Sequence, residues 1–134
     1  MNASRFIELL EREGAHKDDL ERKALFYILS GNDDLYSKVN HIYDFDEHLI
    51  KPECLGVTEE MIANGYEHND SKEPDFCSSS RALVKLAFNL YNGSPADVLS
   101  VFCVLEQENF DLAMDAIRIR LNKGLMVENH SAMA

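Results

Sequence analysis

Residues 78–122 constrain this chain more than any other stretch. Three successive segments there carry helix-start residues, apolar side chains at helical spacing and helix-stop residues in the right order. Ser78, Ser79 and Ser80 offer hydroxyl caps, Leu83, Val84, Ala87, Leu90 and Tyr91 recur on one helical face, and Asn92 and Gly93 tolerate the left-handed geometry that ends a helix. Ser94 is the expected N-cap of the next, with Pro95 at its first position, Asp97 at the positive end of its dipole and Val98, Val101, Phe102 and Leu105 as its stripe. After the polar connection Glu106–Asn109, Asn109 or Asp111 caps a third helix striped by Phe110, Ala113, Met114, Ile117 and Leu121. Arg118, Arg120 and Lys123 crowd its last turn, and Gly124 follows.

The N-terminal half gives the same signals. Asn2 or Ser4 starts a helix with Phe6, Ile7, Leu9 and Leu10 on its apolar side, and Gly14 stops it. A second runs from near Asp18 to Ser30 and Gly31. Its stretch from Ala24 to Leu29 is apolar almost all round, which predicts a helix buried on most of its circumference. Asn32 or Asp33 starts a third, with Leu35, Val39, Ile42 and Tyr43 at helical spacing. Residues 44–50 read as a further turn or two of helix that Pro52 ends, and Thr58 caps a short helix closed by Asn64 and Gly65. No stretch alternates like a strand, save a small hairpin conceivable at 55–57 or 65–68.

The fold class predicted is therefore all-α. It is a single helical domain of about six to eight helices over residues 1–134, with a C-terminal three-helix unit. The chain divides into an acidic part (1–64), a loop (65–77), a helical part (78–124) and a loose tail (125–134). At 134 residues one core is large enough to bury roughly two thirds of the unfolded chain's surface, so neither metal nor disulfide is needed to fold. Cys54, Cys77 and Cys103 are odd in number and match neither a zinc knuckle nor a redox pair, and Cys103, between Phe102 and Val104, reads as a core residue. With no signal segment and no run of roughly 20 apolar residues, the expected home is the cytoplasm.

Charge is the strongest functional clue. The formal net charge is −11. Between Asp33 and Phe76 twelve acidic side chains face three lysines (Lys38, Lys51, Lys72). Direct binding to nucleic acid or anionic lipid is disfavoured, because both need clustered Lys and Arg. Carboxylates interleaved with tyrosines suit docking against a basic protein surface, and Tyr36, Tyr43, Asp44, Asp46, Glu47, Glu59 and Glu60 are the candidate contacts. The plain alternative is a solvated acidic face that only keeps the chain soluble.

Catalytic chemistry finds little footing. If one helix ran through 41–48, His41, Asp44 and His48 would share a face suited to a divalent cation, the basis for an alternative reading as a metal-dependent enzyme. The order is not that of a zinc hydrolase, and a calcium loop starting at Asp44 fails because Leu49 and Leu55 fall at positions six and twelve. Ser78–Ser80 lack a nucleophile elbow, and no glycine-rich phosphate cradle is present. The expectation is no catalysis, no metal and no cofactor, with self-association as a structural protein the other alternative.

The segments SSSRALVKLAFNLYNG, ENFDLAMDAIRIRL and ALFYILSGNDDLYSKVNHIYDF resemble a family of short proteins of Gram-positive bacteria and their phages with no established activity. The likeness covers about two thirds of the chain. It implies a bacterial or phage setting and transfers no site residues. By analogy of size and charge alone, that setting includes small acidic inhibitors of nucleic-acid enzymes, anti-CRISPR proteins among them.

Overall fold

The computed structural model describes residues 3–65 and 74–124, and within them the chain is mostly helical. Its hub is α2 (Leu20–Gly31). Asp19 caps it by accepting the N–H of Arg22 at 3.0 Å. Ala24, Leu25, Phe26, Ile28 and Leu29 are all fully buried, and side chains pointing in so many directions must be covered from several sides. α1 (Ala3–Glu13), α6 (Ser78–Asn92) and α8 (Gln107–Arg120) supply that cover, α6 and α8 packing on α2 more extensively than on each other. Each such buried Leu, Ile or Phe stabilises the fold by about 1.5–3 kcal/mol before entropy is counted. Gly14 (φ +71°) and Gly93 (φ +81°) end α1 and α6 in the left-handed conformation.

The helix expected from Asn32 to Tyr43 is broken in two. Asn32 caps α3 (Asp33–Ser37) through the N–H of Leu35, Lys38 leaves helical geometry at φ −110°, ψ 15°, and α4 (Val39–Ile42) follows. Where further helix was expected, a hairpin forms. β1 (Tyr43–Asp44) pairs antiparallel with β2 (Leu49–Ile50), Tyr43 opposite Ile50 and Asp44 opposite Leu49. A 3-10 turn over Pro52–Leu55 leads to α5 (Glu59–Ala63), which Thr58 caps through the N–H of Met61. Residues 55–57 form no strand; the hairpin conceived at 65–68, most of the 65–77 loop and the 125–134 tail lie outside the described residues.

Four C-terminal expectations need correction. Cys77, not a serine, occupies the N-cap position of α6, and Ser80 is buried with its hydroxyl donating to Asp34 at 2.9 Å. α7 (Val98–Phe102) begins after Asp97, whose carboxylate accepts the N–H and hydroxyl of Ser100, while Ser94 is spent on a turn with Asn92. Glu106 precedes α8, and Asn109 is buried, linking Asn32 at 3.3 Å to Glu106. Cys103 is exposed rather than core. One cluster of buried apolar residues joins α1, α2, α3, α4, the 3-10 turn, α6, α7 and α8.

Candidate functional site

The hairpin tip is where the acidic segment acquires a fixed shape, and residues far away in sequence hold it. Asp44 accepts the N–H groups of Asp46 at 2.9 Å and Glu47 at 3.0 Å, a local turn in which the Glu47 bond first, then that of Asp46, holds its carboxyl below the usual range. His48 closes the loop in the left-handed region at φ +59°. An ordinary side chain there costs about 1–2 kcal/mol, so something must repay it.

The repayment is a buried carboxylate at the end of α1. Glu13 has a side chain only 3 % exposed, and three groups converge on it: the hydroxyl of Tyr43 at 2.5 Å, Nε of Arg22 at 2.8 Å and Nδ1 of His48 at 2.9 Å. Arg22 also donates to Asp19 at 3.0 Å and to the carbonyl of His48 at 3.2 Å, and its guanidinium sits over the Tyr91 ring. A carboxylate this deep is tolerable only when paired and fully hydrogen-bonded, and these partners meet that condition. Burial, then the Glu13 bond, pushes the Tyr43 phenol well above its ordinary value, so it stays protonated as a donor. Phe45 completes the clamp, stacked near-parallel on Phe26 at 5.7 Å with the Arg12 guanidinium 4.0 Å above it.

The seven candidate contacts therefore separate. Asp46 and Glu47 are exposed at the tip, whereas Asp44 shapes it. Tyr43 is 1 % exposed and engaged by Glu13 and Arg22, which removes its side chain from any contact surface. Tyr36 is half-buried, donating to Glu8 at 2.6 Å beneath the Arg5 guanidinium, and Asp33 is paired with Arg5. Glu59 and Glu60 are exposed on α5, which buries none of its residues and forms no packed interface with the hairpin. Among the described residues, the exposed carboxylates of the hairpin tip and those of α5 thus stand on separate elements.

The helical face expected of His41, Asp44 and His48 does not exist, because α4 ends at Ile42 and the hairpin takes Asp44 and His48 into other bonds. Among the described residues no group of three or more His, Cys, Asp or Glu is placed to hold a metal ion. Glu13 and Arg22 carry no local signal: both stand at ordinary polar positions of helices, and only the tertiary fold brings them to the hairpin.

No curated protein and no solved structure matches the chain. A protein family does, over residues 1–133, and it is described as a family of unknown function. The chain belongs to that family, DUF6075.

Proposed function

We propose that this chain is a non-catalytic, cytoplasmic interaction module that offers its acidic hairpin tip to a basic protein surface. The observation that carries the reading is the contrast at 44–48. Asp46 and Glu47 stand in solvent on a loop fixed by Glu13, Arg22 and Asp44. Carboxylates held in place before encounter lose little entropy on binding, and like-charged neighbours steer a cationic partner toward them. A surface that normally grips nucleic acid is the natural counterpart, since it presents Lys and Arg at the density this tip would meet. In that role the chain acts as an inhibitor carried by a bacterium, phage or mobile element.

The test is capture from bacterial lysate with the wild-type chain and with Asp46→Lys/Glu47→Lys. Basic nucleic-acid-binding proteins should be retained at low salt by the wild type, released at high salt and missed by the variant. Equal capture by both chains would refute the reading.

A further inference from the structure

On the side of α6 that faces α7 lies a groove of about 880 Å³, within the size range of ligand sites. Its two walls differ in chemistry. Ser78, Arg81, Lys85 and Asn89 recur at three- and four-residue spacing, a polar ladder along one face of α6. The opposite wall mixes apolar Pro95, Ala96 and Val104 with Asp97 and Ser100, and Val98 and Leu99, 73 % and 77 % exposed, stand on the same helix outside the groove. Apolar side chains concentrated this way on a surface mark a contact site.

The two cations identify what fits. Lys85 is exposed, and the Arg81 guanidinium donates to the carbonyl of Leu55 at 2.5 Å. Neither has a carboxylate partner among the described residues, in a chain with 24 acidic and 13 basic side chains. Asp97, the acid that lines the groove, is committed to the N–H and hydroxyl of Ser100. Among the described residues, this pair of positive charges has no carboxylate partner and lies beside the apolar Pro95, Ala96 and Val104.

We propose that the groove docks an acidic amphipathic helix of a partner protein, its apolar stripe on Pro95, Ala96 and Val104 and carboxylates one turn apart opposite Arg81 and Lys85. From Ser78 to Asn89 the ladder rises roughly 16 Å at about 1.5 Å per residue, which accommodates about three helical turns. Recognition of this kind is the familiar helix-in-groove mode. The surface is separate from the hairpin tip and selects the opposite charge, so either proposal can fail without the other.

The experiment pans a display library of roughly eleven-residue peptides against the full chain, with Arg81→Glu/Lys85→Glu as counter-target and Lys85→Glu alone, at an exposed position, as a variant that keeps the fold. Peptides recovered should carry acidic residues beside apolar ones at helical spacing, shift the amide resonances of Ala82 and Val101, and bind Lys85→Glu at least roughly tenfold more weakly. Recovery of no wild-type-specific peptide, of peptides lacking acids, or of peptides that bind all three chains equally would overturn the proposal. So would light scattering that shows a wild-type dimer abolished by Lys85→Glu, because the occupant would then be a second copy.

Discussion

At the scale of single residues, Glu13 carries more than its position suggests. Removing its carboxylate leaves Arg22, Tyr43 and His48 without their common acceptor, so Glu13→Ala should cost about 3 kcal/mol in chemical denaturation; a loss under about 1 kcal/mol would mean that the network is ornamental. His48 separates backbone from side chain. Glycine accepts φ +59° freely and alanine does not, so His48→Gly should be about 1 kcal/mol more stable than His48→Ala although both lose the bond to Glu13. Cysteine chemistry is graded in the same local way. The Cys77 thiol sits beside the hydroxyl of Ser79 at 3.4 Å, the bond that first lowers its pKa to about 7, whereas burial raises that of Cys54 to about 12. Alkylation of the native chain should therefore modify Cys77 half-maximally near pH 7 and spare Cys54, as peptide mass analysis would record; rapid labelling of Cys54 would contradict its buried place.

At the scale of elements, legibility followed the locality of the forces. α1, α5 and the end of α6 were readable because Gly14, Thr58 and Gly93 act on their own backbone neighbours, and α2 was placed near Asp18, one residue before its cap Asp19. The hairpin was not, because its strands are two residues long and its stability comes from Glu13 and Arg22, 30 and 21 residues before Tyr43. α8 was recognised as a helix whose expected stripe is only partly inward: Ala113 is buried and Met114 and Ile117 are half-buried. Its bulky Phe110 and Leu121 are exposed, while Asn109, Leu112, Ala113 and Ala116 are buried. Small residues let α8 approach α2 closely, and a Cβ placed on Gly31 would come within 2.3 Å of Leu112 Cδ1. Gly31→Ala should consequently destabilise by about 1–2 kcal/mol despite alanine's helix preference, and Leu112→Ala should cost less in that background than alone. Additive effects in the double-mutant cycle would place the two helices farther apart.

On the whole-molecule scale, the centre of organisation lies in α2 rather than in residues 78–122, whose clear start and stop signals reported local order but not tertiary hierarchy. Net charge was legible from composition, yet its display was not, since Asp33 and Asp34 are neutralised by Arg5 and Lys38. No helix among the described residues is long and apolar enough to cross a membrane. Acid sensitivity follows from the carboxyls of Asp34, Asp44 and Asp97, all lowered, respectively by the Lys38 bond, the Glu47 N–H and the Ser100 hydroxyl first. A carboxyl lowered in the folded state gives up a proton that the unfolded chain keeps, so its stabilisation is complete above the ordinary Asp range of about 4 and disappears as pH falls through the lower folded value. The melting temperature should drop over that window, and Asp97→Asn should flatten the drop; an unchanged acid limb would exclude Asp97 as a contributor.

The proposed role of the hairpin tip is to meet a cationic protein with carboxylates already held in place. Its most direct test is the dissociation constant for the captured basic partner, measured across a salt series for the wild-type chain and for Asp46→Lys/Glu47→Lys. The account predicts affinity that falls steeply with salt in the wild type and is largely lost in the variant. Affinity indifferent to both salt and charge reversal would contradict it.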